Sequence, residues 1–239
     1  MLRNFIIRIL FRMLREMEKL NRRHSLHGDR AFFTPDDFPW TRKVAEHTAA
    51  IQKELDELLP QVERLPNFQD ISPDQTLLTT DAGWKTFFFA GYGVESEKNR
   101  QRCPRTAAAL DLIPGMTTAY FSILAPGKVL PMHRGPYAGV LRYHLGLRIP
   151  ASDDSCAIRV DGIQRSWGEG EALIFDDTYQ HEAWNRTPDW RIVLFVDFLR
   201  PLPWVPRMLN NAMMVIIRRT PFVRVAVRNQ ARWEANFYG

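Results

Sequence analysis

The middle of the chain reads as a series of short apolar segments. Ala119–Leu124, Gly139–Ile149, Ala157–Val160, Ala172–Phe175 and Arg191–Phe198 are rich in leucine, aromatic and β-branched residues and are bounded by Gly, Pro or Asp. Several alternate in polarity, so the segments predict strands of an all-β barrel or sandwich. Trp84–Tyr92 adds an aromatic strand, and Gly168-Glu169-Gly170-Glu171 a tight turn before Ala172. On either side the period lengthens. Phe5, Ile6, Ile9, Leu10, Met13, Leu14, Met17 and Leu20 recur at helical spacing within residues 1–23. Val44, Ile51, Leu55, Leu58 and Leu59 mark a helix over 41–59 that Pro60 ends, and Cys103–Leu112 makes a short helix with Pro104 in its first turn. Phe32–Trp40 reads as a turn-rich aromatic stretch, and Pro66–Asp81 as loop. Beyond Pro203, Val205–Arg219 and Pro221–Trp233 form two helices broken at Thr220-Pro221. The expected organisation is a helical flank over 1–79, a mainly β body over 80–203 and a helical extension over 204–239.

Charge changes the picture at both ends. Arg8, Arg12, Arg15 and Lys19 line one face of the first helix, and Arg224, Arg228 and Arg232 one face of the last. Much of the net charge of +5 and the pI near 9.4 comes from these ends. Basic amphipathic helices suit an anionic membrane interface, and they equally suit packing on protein. Arginines interrupt every apolar run well before a membrane span, and no apolar core leads to a cleavage site, so neither a transmembrane helix nor a signal peptide is expected. Cys103 and Cys156 make no disulfide framework or zinc spacing and suit a reducing cytoplasm, at the inner face of a membrane if the helices dock there. No internal repeat and no nucleic-acid module is visible, so no nucleic acid partner is expected.

The candidate chemistry lies between Tyr120 and Pro201. His133 and His181 are each expected just after a strand, where a rigid barrel can fix metal ligands. A histidine pair suits iron, zinc, copper or nickel and does not choose among them, and a lone histidine is more often a hydrogen-bonded core residue. Arg142, His144 and Arg191 fall in the strands between and after them. Asp176 and Asp177 read as groups that bond loop N–H donors and orient His181, rather than as ligands. Trp84, Trp167 and Trp184 read as core or pocket walls.

Several motifs recur together in one order: Trp84-Lys85-Thr86-Phe87, Cys103-Pro104-Arg105-Thr106, Ser122-Ile123 before Pro126-Gly127, Arg142-Tyr143-His144-Leu145-Gly146-Leu147, Ile174-Phe175-Asp176-Asp177 before His181-Glu182, and the strand from Arg191. Over residues 80–203 the chain resembles the aspartyl/asparaginyl β-hydroxylase family, iron(II)- and 2-oxoglutarate-dependent oxygenases with a double-stranded β-helix fold. The resemblance implies that His133 and His181 hold iron(II), that Arg191 grips the distal carboxylate of 2-oxoglutarate, and that Ser122, Arg142 and His144 surround this co-substrate. It implies dioxygen chemistry in which 2-oxoglutarate becomes succinate and a hydroxyl group is placed on the substrate. One position departs from the usual triad of two histidines and a carboxylate: Gly135 stands two residues after His133. The family's peptide-hydroxylating branch also has glycine there, whereas Pro136-Tyr137-Ala138-Gly139 and Val160-Asp161-Gly162 are closer to the lipid A hydroxylase branch. The first expectation is therefore a dioxygenase for an aspartyl or asparaginyl side chain of a peptide or small molecule. The alternatives are a hydroxylase of a fatty acyl chain of a membrane lipid, and a barrel that binds a small anion without catalysis.

Overall fold

The computed structural model describes the backbone of residues 2–239 and the side chains from Arg12 onward. The apolar positions expected at Phe5, Ile6, Ile9 and Leu10, and the charge at Arg8, lie outside the described side chains. In chain order the elements are α1 (Leu2–Arg23), β1 (Phe32–Phe33), α2 (Trp40–Ala45), α3 (Thr48–Leu58), α4 (Phe68–Ile71), β2 (Trp84–Gly91), β3 (Val94–Glu95), α5 (Glu97–Arg102) and α6 (Pro104–Leu110). There follow β4 (Met116–Leu124), β5 (Val129–His133), β6 (Val140–Arg148), β7 (Cys156–Val160), β8 (Ile163–Ser166), β9 (Ala172–Phe175), β10 (His181–Asn185), β11 (Arg191–Leu199), α7 (Trp204–Arg218) and α8 (Pro221–Tyr238).

The strands form two antiparallel sheets, one ordered β1-β9-β6-β11-β4-β2-β3 and the other β5-β10-β7-β8. From β4 to β11 the chain passes back and forth between them, which is the winding of a double-stranded β-helix. The larger sheet is buried on both faces, and this explains why its strands read as nearly unbroken apolar runs. Along β11, Val193 and Phe195 face the smaller sheet with Tyr120, Trp167 and Phe175. Ile192, Leu194, Val196 and Phe198 point the other way, beneath Val44, Ile51 and Leu55 of α2 and α3. Period-two alternation thus serves two cores, each fully buried aliphatic side chain contributing about 1.5–3 kcal/mol relative to exposure.

Local chemistry refines several expectations. The helix foreseen over 41–59 breaks at Glu46-His47, where the Thr48 hydroxyl donates to the carbonyl of Ala45 at 2.6 Å and competes with the helical ladder. The stretch foreseen as loop over 66–81 contains α4, begun by the Asp70 carboxylate accepting from the N–H of Asn67, and a 3-10 turn over Pro73–Leu77. These elements are too short to show a period. The polarity pattern also missed β5 and β10. Pro131 interrupts β5, which tolerates it because β5 is an edge strand, and β10 carries two titratable side chains. Consequently His133 is the last residue of its strand rather than the residue after it, and His181 opens a strand rather than following one. After Pro203 the two foreseen helices are present, α8 reaching Tyr238, and α1 packs against α7. Among the described residues no helix is long and apolar enough to cross a membrane.

Candidate active site

Strand register makes the histidine pair. In the antiparallel ladder between β5 and β10, His133 and His181 are direct partners, and their ring centroids lie 4.1 Å apart. Each ring is held by a carbonyl two residues upstream: His133 Nδ1 lies 2.7 Å from the oxygen of Pro131, and His181 Nδ1 lies 2.9 Å from that of Tyr179. A carbonyl accepts, so each Nδ1 carries the proton and each Nε2 presents a lone pair. Burial holds both imidazoles neutral. It lowers His133 below its ordinary value and, together with neighbouring His133, takes His181 down to about 3. The rings are thus neutral, fixed in tautomer and adjacent, the state in which histidines bind a divalent metal. The orienting groups are backbone carbonyls, not the carboxylates of Asp176 and Asp177 foreseen for this role.

The two aspartates do other work. Asp176 is fully buried against Arg200, and its other oxygen accepts from the Thr178 N–H at 2.9 Å and from the Thr178 hydroxyl. It thereby shapes the turn that delivers His181. Asp177 explains Gly135. The Gly135 N–H donates to the carbonyl of Asp177 at 2.7 Å, and a Cβ at position 135 would lie only 2.1–2.5 Å from the Asp177 carboxyl group. No side chain fits there while Asp177 holds the space. One Asp177 oxygen meets Arg142 at 2.8 Å and the other is buried without a partner. Burial raises the Asp177 pKa above the ordinary carboxylate range despite Arg142, with Asp197 and Asp176 adding to the effect. Arg142 also reaches Asp197 at 2.9 Å and covers the Phe195 ring at 4.2 Å. Its guanidinium, foreseen beside the co-substrate, is therefore engaged by two carboxylates of the protein. Among the described residues no group of three or more His, Cys, Asp or Glu side chains is arranged to hold a metal ion.

A second group lies across the barrel on the inward phase of the larger sheet. Arg191 opens β11, is 2% exposed, and rests 4.7 Å from the Trp167 ring. Its Nε and Nη1 have no partner, and no acid compensates its burial, which lowers its pKa to about 10. Trp167 also stacks on His144 at 5.9 Å. His144 meets Phe175 at 5.0 Å, and Phe175 meets His181 at 5.9 Å. An unbroken line of rings thus joins Arg191 to the histidine pair. Both nitrogens of His144, the Trp167 indole N–H, the Tyr120 hydroxyl and the Thr86 hydroxyl are buried without partners. Ser122 is buried too, its hydroxyl accepting from the Trp84 indole at 3.0 Å. A buried guanidinium without a counter-charge is costly, and so many unpaired polar atoms in one place are unusual for a finished core. A carboxylate would answer this donor set, so these residues fit 2-oxoglutarate, and the neutral histidine pair fits iron. Reading one residue at a time missed Tyr120 and Thr86. Tyr120 shares the inward phase of β4 with Ser122, and that spacing was the available signal.

Fold and site together define a double-stranded β-helix protein with paired histidines on one sheet and an uncompensated arginine on the other. The profile of the "Aspartyl/Asparaginyl beta-hydroxylase" family matches residues 45–201, and the chain belongs to that family of hydroxylases. An "Ornithine lipid ester-linked acyl 2-hydroxylase" from Rhizobium tropici is 49% identical over 92% of this chain and 79% of its own length. An "Aspartyl/asparaginyl beta-hydroxylase" from Mus musculus is 34% identical over 54% of this chain, which spans only 18% of that protein. A solved prolyl-4-hydroxylase from Pseudomonas putida aligns with 64% of this chain and 88% of its own at a TM-score of 0.43 and 16% identity.

Proposed function

We propose that this protein is an iron(II)- and 2-oxoglutarate-dependent hydroxylase acting on a fatty acyl chain of an amino-acid-containing membrane lipid. The observation that carries the cofactor reading is the buried, carboxylate-free guanidinium of Arg191, linked through Trp167, His144 and Phe175 to a neutral histidine pair. His133 and His181 would hold iron through Nε2, and Arg191 would take the distal carboxylate of 2-oxoglutarate in a two-point contact that lysine cannot copy. His144, Ser122 and Tyr120 would border the same molecule. Iron with 2-oxoglutarate and dioxygen would supply the oxidising power, with succinate as co-product. The chain's own residues would bind, orient and exclude water. Phe175 covers His181 from the core side, and Arg142, lying over Phe195, is balanced by Asp177 and Asp197.

The acyl-lipid reading takes precedence over a peptide side chain because likeness to the Rhizobium protein runs through nearly the whole chain, flanks included. The glycine at position 135 no longer weighs toward a peptide substrate, since Asp177 accounts for it sterically. The test is to compare extracted lipids from cells with the active protein and with His181→Ala by mass spectrometry. The reading expects an acyl chain carrying one added oxygen only in the former. Hydroxylated aspartyl or asparaginyl peptides with unchanged lipids would replace it with the peptide reading. No 2-oxoglutarate turnover with either class would leave the anion-binding barrel.

A further inference from the structure

The extension after the barrel exposes the face that a soluble helix ordinarily buries. In α7 the residues turned to the protein are Pro206, Asn210 and Met213. Those turned to solvent include Trp204, Val205, Met208, Leu209, Val215 and Ile216, Trp204 being 65% exposed. At about 100° per residue these six fall within one arc roughly 140° wide, and Arg207 and Arg218 fall together along one edge of it. Between Trp204 and Trp233 there are six arginines and no acidic residue, exceeding the net charge of +5 of the whole chain. No carboxylate among the described residues forms an ion pair with any of the six; Arg218 only donates to the Gly93 carbonyl at 3.1 Å.

The buried face of α7 is fastened to the site. The Asn210 amide donates to the Gly139 carbonyl at 2.8 Å, and its oxygen accepts from the Tyr137 hydroxyl and from Asn21 of α1. A Cβ at Gly139 would fall 2.1 Å from Asn210, so the loop needs glycine to admit this contact. Tyr137 and Gly139 belong to the loop that leaves His133. α1 holds the same rim: Glu18 pairs with Arg134, and Arg22 donates to the Thr178 hydroxyl at 2.8 Å, three residues before His181. The loop after His133 is therefore clamped to α7, which carries the exposed apolar stripe, and the loop before His181 to α1, which packs against α7.

We infer that the outer face of α7, with its flanking arginines, is a docking surface for an anionic lipid bilayer, which it sets beside the mouth of the histidine site. An apolar stripe edged by arginines suits insertion at a headgroup boundary, with the guanidinium groups held at phosphate level. Charge complementarity favours this occupant over a second copy of the chain, because a two-fold contact would bring identical arginine rows together. That docking serves substrate capture rests on the acyl-lipid reading above; the docking itself does not.

The experiment is co-sedimentation of the full-length protein with phosphatidylcholine vesicles, with and without phosphatidylglycerol, at low and high salt. The intact protein should pellet with the anionic vesicles at low salt and be released as salt rises. Arg207→Gln with Arg218→Gln should weaken partitioning roughly five-fold for each arginine removed. Trp204→Ser with Met208→Ser and Leu209→Ser should abolish it while leaving the melting temperature and its rise on adding 2-oxoglutarate unchanged, since these side chains touch neither core nor site. Failure of the intact protein to pellet would overturn the inference. So would a salt-resistant dimer in solution that the triple variant dissolves, because the stripe would then be a self-interface. Vesicle binding with no hydroxylation of any acyl lipid would uphold docking while refuting the substrate reading. Hydroxylation of detergent-dispersed lipid without vesicle binding would do the reverse.

Discussion

Gly135 shows how one residue can be misread from spacing alone. Its position, two after His133, invites comparison with a metal-binding carboxylate, whereas its neighbour in space is a carboxylate from another loop. Gly135→Asp should therefore destabilise the protein by about 1–3 kcal/mol, the cost of overpacking a closed site, rather than improve metal binding. Adding Asp177→Gly should recover part of that loss, and paired thermal denaturation curves would show it. An unchanged midpoint for Gly135→Asp alone would mean that Asp177 yields freely. Arg191 gives a prediction of opposite sign. Its buried charge has no partner in the protein, so Arg191→Met should leave the ligand-free protein as stable as the wild type or more so. The same change should erase the rise in melting temperature expected of the wild type with 2-oxoglutarate, a rise that should grow with ligand concentration over Kd. A strongly destabilised variant would show instead that Arg191 is structural. His181 supplies the pH dependence. Its unfolded form takes up a proton near 6.5 and its folded form only at about 3. Between those values the unfolded state binds more protons, so stability of the metal-free protein should fall as pH is lowered from about 6.5 to 3. His181→Phe should flatten that part of the profile.

At the scale of elements, the larger sheet was legible because both its faces are buried, and its strands announced themselves as apolar runs. Of the smaller sheet only β7 was, since one of its faces meets solvent and its edge strand carries Pro131. The histidines were legible as residues, but their pairing across β5 and β10 is a matter of register, which no local pattern fixes. Arg191 was singled out by its motif, while the engagement of Arg142 by Asp177 and Asp197 joins two strands and a loop far apart in sequence. The tie between α7 and the loop after His133 was equally invisible, because nothing periodic distinguishes Asn210, which faces the loop, from the adjacent Asn211. Asn210→Leu should take the acceptor from the Tyr137 hydroxyl and one of two donors from the Gly139 carbonyl, which keeps the Arg200 N–H at 3.0 Å, costing about 1–3 kcal/mol in chemical denaturation. A neutral result would mean that water replaces the amide, and the rim would then be less firmly held than the geometry suggests.

The whole molecule combines an arginine without a counter-charge, a neutral histidine pair and a helix, α7, that presents an apolar, arginine-edged face. Each part is costly or unusual in isolation, and together they suit the proposed barrel, in which an acyl chain would be drawn toward a metal held where β5 and β10 pair. The most direct measurement is a single reaction containing purified protein, iron(II), 2-oxoglutarate, isotopically labelled dioxygen and vesicles of an amino-acid-containing lipid. The account predicts succinate and labelled hydroxyl-acyl lipid in equal amounts, both lost in His181→Ala and in Arg191→Met. Succinate formed without label in the lipid, or label appearing only on an aspartyl or asparaginyl peptide supplied beside it, would contradict the account.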